Sequence, residues 1–345
     1  MPVKKALKTE TKSFWNDLPR PIYILAPMSN VTDSVFRKLI AKYGKPDVMW
    51  TEFVSADGLI SAGRKKLLVD LEYSEKERPI VAQLFTGHPE AMRRAAALAA
   101  KLGFDGLDIN MGCPDRSVEK QGGGAALIRA QKAATEVLEA AREGFVGPVS
   151  VKTRLGYNKV DFDWIRLLLE QRLHALTVHM RTRKEMSDVP AHWELMPEIV
   201  KMRDRVQADV EPAERTIVIG NGDVQSVEDG AAKCREYGCD GVMIGRGIFG
   251  TPWLFEKVKS PACRTGRQKV KVRTPEERLK ILIEHTKLFE KTFCGKKKLK
   301  NFAVMKKHFK AYVSGWDGAK ELRAKLMEME DYGGVKSVVK NYLSG

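Results

Sequence analysis

Eight short runs of β-branched and apolar residues recur along the chain, at 22–26, 48–53, 80–85, 106–110, 149–153, 175–179, 216–220 and 241–245. Between them, segments such as 33–43, 89–102, 130–143, 162–171, 193–204 and 226–237 repeat apolar residues every three or four places. A near-continuous apolar run suits a strand covered on both faces, and the longer spacing suits a helix that buries one stripe. Their alternation predicts a parallel sheet wrapped by helices, either open and doubly wound or closed into a barrel. Polar residues at the run ends separate these possibilities. Met28, Glu52, Gln83, Asn110, Lys152, His179, Asn221 and Arg246 each stand at or near the C-terminal end of a run. Any one of them can simply hydrogen-bond its own loop, but in a closed barrel all eight converge on one mouth, where barrel enzymes build their sites. The expected fold class is therefore α/β, a (β/α)8 TIM barrel followed by a small all-helical C-terminal domain.

The alternation stops after 253–258. Residues 259–273 are rich in Lys and Arg and read as a basic linker, so the expected organisation is a barrel at 1–258, the linker, and helices at 274–345. Thr274-Pro275-Glu276-Glu277 has the order of an N-cap, a first-turn Pro and first-turn acids, which predicts a helix to about Thr292. Phe302, Met305, Phe309 and Val313 form one apolar stripe with Lys306, Lys307 and Lys310 beside it. Phe309 reads as core, with only one of Tyr312 and Trp316 left outside. Further helices are expected near 319–329 and 335–343.

Composition sharpens this picture in three ways. The chain has 345 residues, more than the roughly 250 of a lone barrel, which leaves room for the second domain. Five cysteines make an odd and sparse set, expected to be reduced thiols. Cys234, Cys239, Cys263 and Cys294 lack paired CxxC spacing, so neither a disulfide scaffold nor a structural zinc is expected, and no metal site is predicted. No long apolar stretch follows the N-terminal lysines or occurs elsewhere, which predicts a soluble, untargeted, cytoplasmic protein without a membrane partner. The formal net charge is +16, and residues 256–345 hold 23 Lys and Arg against 10 Asp and Glu. A basic region of this kind attracts a polyanion, nucleic acid before an acidic membrane surface, unless it is merely a solvated face.

The most informative stretch is Leu107-Asp108-Ile109-Asn110-Met111-Gly112-Cys113-Pro114. A thiol just beyond a strand end, between a Gly that lets backbone approach a ligand and a Pro that stiffens the turn, is placed for chemistry. With an unperturbed pKa of about 8.5 it is mostly protonated near neutrality and can act as an acid. The alternative is an incidental loop cysteine.

Asn110-Met111-Gly112-Cys113-Pro114 resembles the signature of the tRNA-dihydrouridine synthases. Further stretches are similar to that family in the same order: 26–33, 151–154, 178–183, 220–223 and 244–247, continuing into 249–253. The resemblance implies a flavoenzyme that reduces the C5–C6 double bond of uridine, with hydride from reduced FMN arriving at C6 and Cys113 protonating C5. It also implies that Ala26, Pro27, Met28, Gln83, Lys152, His179, Asn221, Gly222, Asp223, Gly245 and Arg246 bind FMN, the last five at its phosphate end. NADPH is implied as the reductant by the resemblance alone, since the sequence carries no dinucleotide fingerprint. Asn110, Arg154 and Arg181 are the implied contacts to the target nucleotide, flipped out of the RNA. Lys306, Lys307 and Lys310 are the implied contacts to tRNA, and no obligate protein partner is expected. Two features depart from the family pattern, Met180 where Gly is common and the segment 185–191. They keep open an enzyme acting on ribosomal RNA, beside a flavoenzyme for free pyrimidines and a non-catalytic RNA-binding protein.

Overall fold

The computed structural model describes residues 13–256, 258, 260–265, 272–295 and 298–344. Its eight strands are β1 (Ile22–Leu25), β2 (Met49–Ser55), β3 (Ile80–Phe85), β4 (Gly106–Met111), β5 (Val149–Arg154), β6 (Ala175–His179), β7 (Ile217–Asn221) and β8 (Gly241–Ile244). All pair in parallel, in the order β1-β8-β7-β6-β5-β4-β3-β2. The ring closes where Ile24 bridges Val48 and the Leu25 N–H donates to the Val48 carbonyl at 3.2 Å. Sequential order and closure together exclude the open doubly wound sheet, whose strand order must reverse.

Helices α1 (Ser34–Tyr43), α2 (Pro89–Lys101), α3 (Gln131–Gly144), α4 (Phe162–Glu170), α5 (Met196–Val206) and α6 (Val227–Tyr237) wrap the barrel. Their apolar stripes and the outward-facing strand residues form the main core. The inward-facing residues follow the two-residue period of each strand. Low in the barrel they are apolar, with Ile22, Ile24, Trp50, Val81, Ala175, Ile217, Ile219 and Met243 in one cluster. The floor comes from a segment without a periodic signal: the 3-10 turn Phe14–Asp17 drives Trp15, 1% exposed, against Trp50 at a ring separation of 5.8 Å. Higher up, the same parity brings polar residues inward, among them Gln83, Asp108, Asn110, Ser150, Lys152 and Thr177, so the mouth is chemically active while the floor is sealed.

Helices α7 (Pro275–Phe289), α8 (Met305–Tyr312), α9 (Ala319–Met327) and α10 (Tyr332–Ser344) follow. Thr274 caps α7 with its side chain accepting from the Glu277 N–H, and Glu277 returns the bond, as the sequence implied. These helices share an apolar cluster that also takes in Val35 of α1 and Trp253. Phe309 is core, as expected, and Tyr312 is fully buried with it, its hydroxyl turned toward His285 Nδ1 at 3.4 Å. Trp316 is half-buried, with the Arg278 guanidinium 4.9 Å from its ring. Residues 259 and 266–271 of the expected linker lie outside the described residues, and its 261–264 portion is a helical turn. There the Arg264 guanidinium pairs with Asp47 at 2.7 Å and donates to the Pro21 carbonyl at 2.8 Å.

Candidate active site

A cavity of about 200 Å³ opens over the C-terminal ends of the strands, where Ala26, Pro27, Met28, Lys152, His179, Asn221, Gly222, Asp223, Gly245 and Arg246 line it. Ten of the eleven residues expected to hold a cofactor therefore meet in one place. Gln83 does not line this cavity: it is fully buried, its amide donating to Asp108 Oδ2 at 2.6 Å and accepting from Asn110 Nδ2 at 3.1 Å. Sequence reasoning missed Ser187, Val224, Gln225 and Met243 in the lining. Met243 was legible from strand parity, since it lies two residues before Gly245 on the inward side; Ser187 was not, because it arrives on a loop.

The lower rim is cationic. Lys152 makes no hydrogen bond or ion pair with the described residues, and burial together with Arg154 pushes its ammonium down to about 8 against the pull of Asp108 and Cys113. Asp108, fully buried beneath it, accepts from Ser150 Oγ and from Gln83, yet burial outweighs these bonds and raises its carboxyl to about 6. His179 is held well below the ordinary imidazole range by burial and then by Lys152, Arg154, Arg181 and Arg246. Its Nε2 faces Arg181 Nη1 at 3.1 Å, and because a guanidinium only donates, the neutral ring carries its proton on Nδ1.

At the far end, Gly222 adopts φ +120 and Asp223 φ +53. A side chain at Gly222 would collide with Ala191 Cβ at 2.9 Å and His179 Cδ2 at 3.1 Å, so this turn requires glycine. Trp193 fixes the turn from outside, its indole N–H donating to the Gly222 carbonyl at 2.8 Å. Asp223 bridges two cations, accepting from Arg181 at 2.5 Å and Arg246 at 2.7 Å. No side chain caps the 3-10 turn Arg246–Ile248, which leaves its first N–H groups for another acceptor.

Cys113 lies beside this cavity, outside its lining. The thiol is half-buried and not in a disulfide, is hydrogen-bonded by the Asp115 backbone, and interacts electrostatically with both Lys152 and Arg154. Burial is the main influence raising it above its ordinary value, so it stays protonated through neutral pH. Its loop is held by Asn110, whose Oδ1 accepts the N–H groups of Gly112 at 3.1 Å and Cys113 at 2.9 Å. Asn110 was expected to contact a substrate; its carbonyl is instead committed to the thiol loop and its amide to Gln83. The structure thus joins Asp108, Gln83, Asn110 and the Cys113 backbone in one buried chain of hydrogen bonds.

Arg154 is nearly buried and donates to the carbonyls of Gly112, Thr182 and Met186 at 2.9–3.0 Å, with Nη2 left unpartnered among the described residues. Burial brings its guanidinium down to about 10. Arg181, expected to hold a nucleotide, is 2% exposed, and Val189, His179 and Asp223 take up its Nε, Nη1 and Nη2. Met180 is fully buried, so its difference from glycine is absorbed in the core, whereas the divergent loop 185–191 closes over the site through Met186, Ser187, Val189 and Ala191. Lys307 and Lys310 are exposed and Lys306 half-buried on α8; none forms an ion pair with the described residues. Lys307 is within electrostatic reach of Glu52, Lys300 and Asp33, which places this helix beside the β1 and β2 side of the mouth.

Residues 24–344 match the family model described as dihydrouridine synthase (Dus). The chain is 40% identical over 334 residues to a probable tRNA-dihydrouridine synthase of Staphylococcus aureus (strain COL), covering 96% of each. It is 40% identical over 342 residues to a probable tRNA-dihydrouridine synthase 2 of Bacillus subtilis (strain 168), covering 97% of this chain and 99% of the relative. Among solved structures, a histamine dehydrogenase from Rhizobium sp. 4-9 aligns at a TM-score of 0.49 and 12% identity, over 77% of this chain and 48% of that one.

Proposed function

Because the chain belongs to the dihydrouridine synthase family, we propose that it reduces the C5–C6 double bond of specific uridines in tRNA, with FMN in the strand-end cavity and Cys113 as the proton donor. The residues present fit that cofactor. Lys152 is a half-buried cation that forms no ion pair among the described residues, and the glycine turn at Gly222 and the uncapped turn at Arg246 suit an anionic phosphate. Bound FMN, once reduced, would supply the hydride for C6, with NADPH as the reductant. The remaining work belongs to the protein. Lys152 holds positive charge where electron density accumulates, and His179 offers an Nδ1–H donor. Cys113 keeps its proton at neutral pH and delivers it to C5, held in place by Asn110. Arg154, through its unpartnered Nη2, orients the pyrimidine. The exposed lysines of α8 bind RNA phosphate beside the mouth and offset the few kcal/mol needed to extrude the base.

The observation that carries this reading is the pairing of a protonated, anchored thiol with a lysine that forms no ion pair among the described residues, at the edge of one cavity. Incubating the protein with unmodified tRNA, FMN and NADPH and mapping reduced uridines by mass tests it. Yellow protein that leaves every tRNA uridine intact would sink the tRNA assignment. Reduction confined to ribosomal RNA would move the substrate, and salt-insensitive turnover of free uracil would favour the small-molecule enzyme. A colourless preparation that cannot be reconstituted would favour a catalytically silent binder.

A further inference from the structure

The end of the barrel opposite the cofactor cavity holds chemistry that dihydrouridine synthesis does not use. Helix α6 ends at Tyr237, and Gly238 takes the left-handed conformation at φ +75 with its N–H donating to the Cys234 carbonyl at 3.0 Å. This turn folds the chain back so that Cys239, just before β8, lies over Cys234 in the last turn of the helix. Any small apolar pair would satisfy such a contact. Here both members are free thiols, and their Sγ atoms stand 3.6 Å apart.

Both are buried at the edge of the main core, at 9% and 6% exposure. Both line a second cavity, of about 590 Å³, whose wall includes Arg20, Arg235 and Asp240. Asp240 directly precedes β8 and Arg20 lies two residues before β1, which places this cavity at the foot of the barrel. Contact with Cys234 lowers the Cys239 thiol against the opposing effect of burial, and the Gly220 and Gly241 amides help; the same contact raises Cys234. Two thiols in contact, both lining a cavity that admits a small molecule, have the arrangement of an attacking and a resolving cysteine. Closing the sulfurs to a bond of about 2.05 Å needs only a short movement. Gly238 has open space around it in which the turn can adjust.

We infer that Cys234 and Cys239 form a redox-active dithiol that closes to an intramolecular disulfide when exposed to a peroxide. The Cys239 thiolate attacks one peroxide oxygen, giving a sulfenic acid and, with one proton, the first water. Cys234 then attacks that sulfur, its proton leaves with the hydroxyl as a second water, and the S–S bond forms. Two thiols are thereby oxidised while one hydrogen peroxide is reduced to two waters. The bond staples the end of α6 to the start of β8, and the opposite ends of these two elements carry Val224–Gln225 and Gly245–Arg246 of the cofactor cavity.

The test uses the full chain, treated with hydrogen peroxide, blocked with N-ethylmaleimide and analysed by mass. Trypsin cuts after Lys233 and Arg235, so the two thiols fall on separate peptides that only a disulfide can hold together. The expected result is loss of two hydrogens, a cross-linked pair containing residues 234 and 239, and full reversal by dithiothreitol. Cys234→Ser and Cys239→Ser should each abolish the cross-link, with Cys234→Ala and Cys239→Ala as alternatives if a serine variant melts early. Maleimide on both sulfurs after peroxide treatment, or a cross-link that instead involves Cys113, Cys263 or Cys294, would overturn the inference.

Discussion

Lys152 is a cation that forms no ion pair among the described residues, and its titration is exposed to experiment for that reason. Its ammonium loses a proton above about 8, so the charge that attracts an anionic ligand is present at lower pH and fades as pH rises. FMN affinity should therefore hold from pH 6.5 to 8 and weaken by up to about tenfold per unit above that. Fluorescence titration would show this, and Lys152→Met should bind weakly at pH 7 with a flat profile. A wild-type profile as flat as the variant's would remove Lys152 from flavin binding. Cys113 titrates in the opposite functional sense. Its proton is the reactive species and burial moves its loss to higher pH, so turnover should persist through neutrality and decline only on the alkaline side. Cys113→Ala should keep flavin and RNA binding while losing about 10²-fold or more in single-turnover rate. Full rate in that variant, on RNA carrying its other natural modifications, would assign the proton to another group.

At the scale of elements, helix α8 packs His308 into a seam among Phe36 of α1, His285 of α7 and Phe249, with ring separations of 4.6–5.9 Å. Both His308 nitrogens are buried without a partner, and burial pushes the imidazole down to about 3. The unfolded chain takes up this proton near 6.5 and the folded chain resists it, so folding loses about 1.4 kcal/mol per unit as pH falls from 6.5 toward 3. His308→Leu removes two unsatisfied polar atoms; it should match or exceed wild-type melting temperature at pH 7.5 and gain further as the pH is lowered to 4. Calorimetry at both pH values decides this, and a variant that loses stability on acidification in parallel with wild type would contradict it. Elements of this kind were largely legible beforehand. Strand and helix periods gave the barrel order, and Thr274 announced the start of α7. What the sequence withheld was the use made of each polar group. Nothing in the sequence shows that Arg181 pairs with Asp223, 42 positions away, or that the Asn110 carbonyl holds the Cys113 loop. Trp15 left no signal, since a lone aromatic outside any repeat gives no hint that a barrel floor needs it.

Across the whole molecule, the helical region is tied to the barrel by Lys300. Its Nζ lies 2.6 Å from Glu52 and 3.1 Å from Asp70, nearly out of water, while Glu52 also accepts the N–H of Asn30. Burial raises the Glu52 carboxyl to about 7 even with Lys300 beside it. Lys300→Met should cost about 3 kcal/mol, since it strands a buried charge. That cost should grow between pH 6 and 9, because the orphaned carboxyl must then give up a proton it would otherwise keep; urea melts that superimpose across this range would refute the assignment. On the outer face, replacing Lys306, Lys307 and Lys310 together by Ala should reduce the salt slope of tRNA binding by about 2. An unchanged slope would place the RNA elsewhere. The Trp15 floor has a kinetic consequence. With the lower end stoppered, flavin, reductant and nucleobase must all use a single doorway, and RNA resting across it would lock the flavin in. Reduction would then come before RNA docks, each cycle would run as two half-reactions that take turns at the entrance, and adding tRNA should slow the exchange of bound flavin with flavin in solution.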